Sequence, residues 1–302
     1  MKILLTGASG FVASYIAVYL KQRGHDIFLT LRDRSKAWRL GDLSGYHIYE
    51  GDLFDETFAE DVVEQTKPDA LIHCAWSGVH RDGRNSDVQP KNILMTQVIL
   101  QAVVENKCPL FIGLGTQAEY GVHNRRIDEN VEPVPLDNYG RYKLASGLLG
   151  QMYANKHEFR YAWLRLFSTF GPKDNDSYII PFVIQSLLKN ETPKLTDCEQ
   201  MWDYLYVKDI PKLIELVLNK EEYFCGLYNL CSGQPQRLKD VVQSLDRMID
   251  GSVHPQFGAI AHRPQGLMHL EGDNTKFKNE FGSLVLTDIE QALQETVQWY
   301  RN

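Results

Sequence analysis

One short segment of the chain carries residue types that can transfer a proton. In DNYGRYKLAS, Tyr139 stands four residues before Lys143, so the two side chains share one face if the segment is helical. A tyrosine has a pKa of about 10, and a neighbouring ammonium group lowers it. Tyr139 is then able to protonate a developing alkoxide or to deprotonate an alcohol. Tyr142 points to another side of the helix, where we expect packing or solvent contact.

Thr116 is the second candidate group, because it ends the apolar run that precedes this segment. It lies in GTQAEYG, at the predicted carboxyl end of a strand. Its hydroxyl can hydrogen-bond the reacting oxygen beside Tyr139, although a threonine at this place can also cap its own turn. We predict that Thr116, Tyr139 and Lys143 form a catalytic set.

The loop TGASGFVAS near the start of the chain predicts a cofactor site. Gly7, Gly10 and Ala13 follow the spacing GxxGxxA between a strand pattern and a helix pattern. This spacing permits a tight turn, a close approach of the backbone to a pyrophosphate, and close packing of the helix. An ordinary glycine turn is the alternative, but the loop begins a βαβ pattern, which favours the cofactor. The residues predicted to contact the cofactor here are Gly7, Ser9, Gly10, Phe11 and Val12.

The end of the second strand pattern bears on which cofactor binds. The sequence there reads LTLRDRSKAWR, and Arg32 falls at the predicted strand end. An arginine fork suits the 2′-phosphate of NADP, whereas an acidic residue at this place binds the ribose of NAD. Asp33 would favour NAD if the strand ran one residue longer, and a solvated basic loop is the third possibility. We predict NADP(H), with NAD(H) as the alternative.

Residues after the third and fourth strand patterns complete the predicted cofactor site. Asp52 in EGDLFD can reach the adenine edge, and Leu53 follows it. The backbone of Cys74, Ala75 and Trp76 should line the cofactor, because open α/β sheets bind ligands at the carboxyl ends of their strands. We expect the Cys74 side chain to serve packing.

Strand and helix patterns alternate through the first half of the chain and predict an α/β fold with a doubly wound parallel sheet. After Phe167 the alternation ends, which predicts a smaller C-terminal α/β substrate lobe. We predict a dinucleotide-binding domain over 1–167 and the lobe over 168–302, with Gly226–Cys231 returning to the sheet. The predicted strands are Lys2–Leu5, Asp26–Leu31, Tyr46–Glu50, Ala70–Cys74, Leu110–Leu114 and Tyr161–Phe167, and the predicted helices are Phe11–Arg23, Thr57–Gln65, Gln89–Asn106 and Leu136–Asn155.

Composition narrows the class of protein. The chain has 302 residues, of which 43% are hydrophobic and 24% charged, and a net charge of −7, the profile of a globular protein that does not bind nucleic acid. No apolar segment is long enough to span a bilayer. The five cysteines lack CxxC spacing, so we predict no metal site, no disulfide framework and a cytoplasmic location. His73 and the other histidines show no ligand spacing either.

Taken together, these motifs resemble the extended short-chain dehydrogenases/reductases that act on nucleotide sugars. The resemblance covers nearly the whole chain. It implies a Rossmann domain with a smaller sugar-nucleotide lobe and the catalytic set Thr116, Tyr139 and Lys143. Of this set, Tyr139 and Lys143 are also expected to contact the cofactor, with Lys143 holding the nicotinamide ribose. It also implies a homodimer through helices 89–106 and 136–155. The motifs concerned are TGASGFVAS, GDLFD, LIHCAW, the helix containing Asn92, GTQAEYG, YGRYK, LRLFSTFGP, DYLYVKDI and HRPQGLMHLEGDNTK.

The two residues after Thr116 bear on the reaction. Dehydratases of this family carry Asp-Glu at these two positions. Decarboxylases carry a glutamate at the second position, and epimerases that invert the carbon next to the ketone carry a cysteine there. This chain has Gln117 and Ala118, which leaves reduction of a 4-ketone or 4-epimerisation. HCAWSG and GTQAEYG resemble the branch that reduces 4-keto-6-deoxy sugars, so we predict an NADPH-dependent 4-ketoreductase of deoxysugar or surface polysaccharide biosynthesis. The alternatives are a nucleotide-sugar 4-epimerase and a non-catalytic NADP sensor, which would not need the catalytic set.

The substrate side departs from the family pattern in two places. Ser168 stands where many members have an asparagine that meets the phosphate, and Trp202 stands where many have an arginine. Arg263 matches the family arginine that grips the diphosphate, although a surface arginine beside a proline is the alternative. We predict that Gln117, Ser168 and Arg263 contact the nucleotide sugar, and the identity of the nucleotide stays open.

Overall fold

The computed structural model describes residues 1–261 and 267–302. Its first half alternates strands with helices, as the sequence predicts. The elements are β1 Lys2–Thr6, α1 Phe11–Gln22, β2 Asp26–Leu31, β3 His47–Glu50, α2 Glu56–Thr66, β4 Ala70–His73, α3 Val88–Glu105, β5 Leu110–Thr116, β6 Arg126–Ile127, α4 Asn138–His157 and β7 Arg160–Leu166.

The second half consists of shorter strands and helices without regular alternation. Its elements are β8 Ser168–Phe170, α5 Ile179–Leu188, β9 Met201–Trp202, β10 Tyr204–Tyr206, α6 Ile210–Leu218, β11 Cys225–Leu230, β12 Gln236–Arg237, α7 Leu238–Ile249, β13 His269–Gly272, α8 Thr275–Phe281 and α9 Ile289–Arg301.

The main sheet has seven parallel strands in the order β11-β7-β5-β4-β1-β2-β3. The order reverses between β1 and β4, which is the topological switch point where open α/β sheets bind ligands. The predicted doubly wound Rossmann-type fold is therefore confirmed. Strand β11 lies at the edge of this sheet and pairs with β7, with Tyr228 opposite Leu164.

The two faces of the sheet are buried by different helices, because side chains alternate along each strand. Ile3 and Leu5 belong to a core cluster that includes residues of α1, α5 and α6. Leu4 faces the other way, into a cluster with residues of α2 and α3. All seven residues of β5 are buried, so the strand is covered on both faces. This burial fixes the strand end where Thr116 lies.

Two small sheets accompany the main sheet. One has the order β12-β9-β13-β6, and the other pairs β10 with β8. In the described ranges 1–261 and 267–302, we found no helix that has both the length and the apolar character required to cross a membrane.

Candidate active site

The glycine loop after β1 lies against the end of β4. Gly7 has φ +69°, and a Cβ there would stand 2.7 Å from the Cα of Ala75, so only glycine fits without a shift. The Thr6 Oγ1 accepts hydrogen bonds from the backbone N–H groups of Cys74 at 3.1 Å and Ala75 at 3.2 Å. These contacts join the two loops at the switch point.

A cavity of about 210 Å³ opens beside this loop. Most of the residues predicted to bind the cofactor line it, including the loop residues Gly7, Ser9 and Gly10, so the lining fits a dinucleotide. Phe11 and Val12 instead pack, partly buried, against the core. The predicted residues in the lining are Gly7, Ser9, Gly10, Arg32, Asp52, Leu53, Cys74, Ala75 and Trp76.

The first two residues after β2 make different contacts: Arg32 lines the cavity, and Asp33 bonds within its own turn. Strand β2 ends at Leu31, so Arg32 is the first residue beyond it, and Arg32 lines the cavity. Asp33 accepts hydrogen bonds from the backbone N–H of Ser35 at 2.9 Å and from its hydroxyl at 2.6 Å. These hydrogen bonds lower the pKa of Asp33. The carboxylate that would favour NAD is thus engaged within its own loop.

Tyr139 meets Thr116 because α4 begins close to the turn that follows β5. The carboxylate of Asp137 accepts the N–H of Gly140 at 2.9 Å and so caps the helix. A Cβ on Gly140 would stand 2.5 Å from the Ala118 carbonyl oxygen, which shows how near the helix and the turn lie. The Thr116 side chain lies close enough to the Tyr139 phenol to lower its pKa, as a hydrogen-bond donor to the phenolate does. Thr116 Oγ1 also accepts the N–H of Ala118 at 3.2 Å, so the capping role is present together with the contact to Tyr139.

Lys143 lies one turn further along α4 and is buried. Its Nζ donates to the carbonyl oxygen of Leu114 at 2.6 Å and lies 4.0 Å from the centre of the Trp76 ring. Burial lowers the pKa of Lys143 to about 8, although the charge of Glu119 opposes the shift. The ammonium group is therefore held between a carbonyl group and the aromatic face of Trp76, a residue of the cavity lining.

The pKa of Tyr139 differs from the expectation based on spacing. Desolvation by the surrounding protein raises the pKa of Tyr139 to about 12, while the hydrogen bond from Thr116 and the charge of Arg84 lower it. Spacing alone assigned this lowering to Lys143, whose ammonium group is instead bonded to Leu114. The phenol is thus protonated at neutral pH and is ready to act as an acid.

Arg84 is a residue of the site that sequence reasoning missed. Its guanidinium carbon lies 4.3 Å from the centre of the Tyr139 ring, and its Nε forms a 2.6 Å ion pair with Asp137. No spacing in the segment GVHRDGRNSD indicates this contact, because a loop between β4 and α3 brings Arg84 to the start of α4. Tyr139 also has an edge contact with Trp76, at 6.3 Å between ring centres.

A buried ion pair between Glu119 and Arg165 stabilises the end of β5. Glu119 accepts the N–H of Thr116 and the indole N–H of Trp163, each at 2.9 Å, and pairs with Arg165 at 2.7 Å. Sequence reasoning missed this pair, although an arginine within the apolar strand YAWLRLF is a signal for it. Because Glu119 is buried and engaged by these donors, it is not placed to exchange protons with a substrate.

The three residues predicted to contact the substrate lie in separate parts of the chain. Gln117 begins the 3₁₀ turn Gln117–Glu119, beside Thr116. Ser168 begins β8, where it pairs with Tyr204 of β10. Arg263 lies outside the described residues, so its contact with a diphosphate stays a prediction.

Two other side chains near the cavity are suited to structure rather than chemistry. Burial raises the pKa of Cys74 to about 12, so its thiol is not a ready nucleophile. His73 is buried between the hydroxyl groups of Thr6 and Thr96, at 2.9 and 3.2 Å, and burial lowers its pKa to about 3. Within the part of the chain that is described, no group of three His, Cys, Asp or Glu side chains is arranged to hold a metal ion.

Comparison with known proteins agrees with this geometry. The chain is similar to a dTDP-6-deoxy-L-talose 4-dehydrogenase (NAD(+)) of Aggregatibacter actinomycetemcomitans, with 25% identity over 282 residues, covering 90% of this chain and 99% of the relative. It is also similar to a UDP-glucose 4-epimerase of Halalkalibacterium halodurans, with 24% identity over 288 residues, covering 88% of this chain and 85% of the relative.

A solved structure and a family model extend the comparison. The UDP-glucose 4-epimerase of Thermotoga maritima, solved with UDP-glucose, superposes with a TM-score of 0.86 at 22% identity, covering 100% of this chain and 99% of that one. This likeness concerns the fold. The model of the NAD dependent epimerase/dehydratase family matches residues 3–231. The glycine loop, the parallel sheet and the family match lead to one conclusion: the chain is an enzyme of the NAD dependent epimerase/dehydratase family, whose members act on nucleotide sugars.

Proposed function

We propose that this enzyme reduces the 4-keto group of a nucleotide-linked 4-keto-6-deoxy sugar, with NADPH as the hydride donor. The observation that carries the proposal is that Tyr139 lies against Thr116 with Lys143 one turn further along α4, and that Tyr139 and Lys143 both contact Trp76 of the cavity lining. The neighbouring Ala118 offers no acid or base. The product would serve deoxysugar or surface polysaccharide biosynthesis.

Each catalytic residue has a distinct role in the proposed reaction. When bound, the nicotinamide supplies the hydride that reaches the sugar C4. Tyr139 donates the proton to the developing alkoxide, which its high pKa permits at neutral pH. The Thr116 hydroxyl holds that oxygen. Lys143 leaves or shares its bond to Leu114 and orients the nicotinamide ribose.

Three features support reduction over other reactions of the family. Arg32 lines the cavity while Asp33 is engaged in its own turn, which suits a phosphorylated and exchangeable cofactor. Ala118 and the locked Glu119 offer no base for water removal across C5 and C6. The similarity to a 6-deoxysugar 4-dehydrogenase concerns the same carbon and the same class of sugar.

Epimerisation at C4 is the second candidate function, and the similarity to UDP-glucose 4-epimerases favours it. An epimerase keeps NAD bound and returns the same hydride to the other face of the ketone. A non-catalytic NADP sensor is the third possibility, and the complete set Thr116, Tyr139 and Lys143 argues against it.

We further propose the remaining partners from the same observations. Gln117, Ser168 and Arg263 would contact the nucleotide sugar, in the lobe over 168–302 and at its border with the domain over 1–167. Two copies of the chain would join through α3 and α4. All five cysteines are free thiols, which fits a cytoplasmic enzyme.

The test is turnover with purified protein, NADPH and a panel of dTDP-, CDP-, GDP- and UDP-linked 4-keto-6-deoxy sugars in D₂O. We expect NADPH to be oxidised in a one-to-one ratio with product, and C5 to gain no deuterium beyond a control without enzyme. Interconversion of two 4-hydroxy sugars without added cofactor would establish the epimerase instead. Tight NADPH binding with no turnover on the whole panel would favour the sensor.

A further inference from the structure

The loop that precedes α3 is attached to the first turn of α4 at two points. The side-chain oxygen of Asn85 accepts the N–H of Asn138 at 3.0 Å, and Arg84 forms its 2.6 Å ion pair with Asp137. The loop itself is held by Gln89, whose amide nitrogen donates to the carbonyl oxygen of Gly83 at 2.8 Å. Arg84 is thus fixed from both sides, rather than being a free surface arginine.

This attachment places a cation on the face of the proposed proton donor. The Arg84 guanidinium carbon stands 4.3 Å from the centre of the Tyr139 ring, well within the range of a cation–π contact. The Arg84 side chain is 29% exposed, so water screens the contact only in part. The contact limits rotation of the ring as well as acting on its charge.

The other polar groups around the Tyr139 phenol divide into two sets. Thr116, at the end of β5, and Arg84 favour the phenolate, whereas Glu119 below the turn and Tyr178 before α5 disfavour it. Tyr178 is in turn hydrogen-bonded to His80 at 3.0 Å.

Two charged groups on the segment that carries Tyr139 complete this environment. Lys143 is engaged with Leu114, and Asp137 is paired with Arg84. Among the described residues that act on the phenol in this structure, Arg84 is therefore the cation that favours its ionised form.

We propose that Arg84 is a positioning residue, which holds the Tyr139 ring in place and supplies the cation that stabilises its phenolate. The inference rests on the proposed function only in taking Tyr139 as the proton donor. The Tyr-x-x-x-Lys spacing assigns the stabilisation of the Tyr139 phenolate to Lys143. In this proposal Arg84 has that role, at least before the cofactor binds. Asp137 moderates the effect, because its carboxylate partly neutralises the guanidinium group.

The test measures the phenol directly and needs no substrate. Tyr139 is replaced with 3-fluorotyrosine, whose phenol is more acidic than that of tyrosine, and its ¹⁹F shift is followed against pH. Arg84→Met should make the phenol a weaker acid by about tenfold, since an adjacent cation is lost. Arg84→Lys keeps a cation and should restore most of the difference. Asp137→Asn keeps a capping oxygen but removes the counter-charge, so it should make the phenol a stronger acid.

Arg141→Met is the matched control. It removes an arginine from the same turn of α4, where Arg141 is exposed and donates to Asn138 at 3.2 Å, and it should leave the titration unchanged. An unchanged titration in folded Arg84→Met overturns the proposal. If Arg84→Met does not fold, the test rests on Asp137→Asn. A phenol in that variant that is no stronger an acid than in the unmodified protein overturns the proposal. A further outcome is a phenol that becomes a weaker acid in Arg84→Met and a stronger acid in Asp137→Asn while the enzyme turns over none of the sugars. That result would uphold the role of Arg84 and refute the proposed reaction.

Discussion

The Tyr139 phenol lies where desolvation outweighs the groups that favour its ionisation, so it keeps its proton through the neutral range. That state suits the proposed reduction, in which Tyr139 would give a proton to an alkoxide. In the reverse direction the phenolate is the base, so oxidation of the alcohol should accelerate as pH rises toward the pKa. A nicotinamide cation and a ribose bound by Lys143 would move that pKa downward.

At this residue scale, Tyr139→Phe should lose most of the turnover and keep the affinity for cofactor. Loss of a general acid costs roughly a hundredfold or more in rate, whereas the ring and its contacts with Arg84 and Trp76 remain. Turnover is followed by NADPH absorbance and cofactor binding by fluorescence titration. Tyr142→Phe serves as the control and should behave like the unmodified protein. Near-normal turnover of Tyr139→Phe between about pH 6 and pH 9 would refute the assignment.

Arg32→Asp should weaken the binding of NADPH much more than that of NADH. Arg32 lines the cofactor cavity directly after β2, and charge-assisted hydrogen bonds contribute about 1.5–3 kcal/mol, so the ratio of the two Kd values should change by roughly tenfold to a hundredfold. The control is Arg34→Asp, which makes the same charge change at an arginine that pairs with Glu50 at 3.1 Å. If the unmodified protein uses NADH better by kcat/KM, the preference for NADPH is wrong.

At the scale of elements, the site depends on how closely α4 approaches the 3₁₀ turn Gln117–Glu119. Gly140 allows the approach, because any Cβ there would stand 2.5 Å from a backbone oxygen that cannot rotate away. The helix would otherwise favour alanine over glycine by about 1 kcal/mol. Its glycine therefore reflects the contact rather than helix propensity.

Gly140→Ala should displace α4 from this turn and separate Tyr139 from Thr116. We expect a net destabilisation of about 1–2 kcal/mol, because the cost of overpacking exceeds the gain in helix propensity, together with a fall in kcat. Urea unfolding and steady-state kinetics measure the two effects. The control is Gly251→Ala, where the nearest atom to the new Cβ is 3.8 Å away and no change is expected. Stability and kcat equal to those of the unmodified protein would show that the turn yields to the new methyl group.

At the scale of the whole molecule, one buried carboxylate lies where three distant parts of the chain meet. Arg39, after β2, donates to the carbonyl oxygen of Lys173 at 2.9 Å, and Tyr300 of α9 donates to that of Asp174 at 3.5 Å. Burial raises the pKa of Asp174 from 3.8 to about 7. The folded state therefore holds this proton more tightly than the unfolded state, and the contribution of Asp174 to stability falls as pH rises from about 4 to about 7.

Asp174→Asn should consequently stabilise the protein at pH 8 and have little effect at pH 4. The full penalty of ionising the buried carboxyl is at most about 4 kcal/mol, and we expect about 1–3 kcal/mol to be recovered, because structural relaxation reduces it. Thermal unfolding at both pH values gives the difference from the unmodified protein. Asp61→Asn, an exposed position on α2, is the control. A stability difference that is the same at both pH values would contradict the raised pKa.

The proposed dimer gives a second prediction at this scale. Leu148 and Met152 on α4 are 52% and 55% exposed, and Leu94 on α3 is 56% exposed, so the two helices present apolar side chains to solvent in a single chain. Leu148→Glu with Met152→Glu should convert a dimer to monomers, because burying two carboxylates in an interface is costly. Light scattering after size-exclusion chromatography gives the mass. Val285→Glu, at a position that is 95% exposed, should leave the dimer intact. A monomeric unmodified protein would exclude this interface.

The sequence by itself determined the features that depend on local spacing. Hydrophobic periodicity predicted the alternating strands and helices of the first half, with bounds that differ by at most two residues from those in the structure. For α4 the difference arises because Asp137, rather than Leu136, caps the first turn. Glycine spacing predicted the loop at the switch point, and the Tyr-x-x-x-Lys spacing placed Tyr139 and Lys143 on one helix. Local geometry suffices for these features, since each involves neighbours along the chain.

Only the tertiary structure decided which charges act on those residues. Arg84 contacts the Tyr139 ring, and Arg165 pairs with Glu119. The residues of each pair are far apart in the sequence, so hydrophobic periodicity could not predict these contacts. The same holds for Lys143, whose partner is a carbonyl oxygen on the neighbouring strand rather than the tyrosine four residues before it. Electrostatic effects fall off with distance in space and rise with burial, and both quantities are set by how the sheet and helices pack.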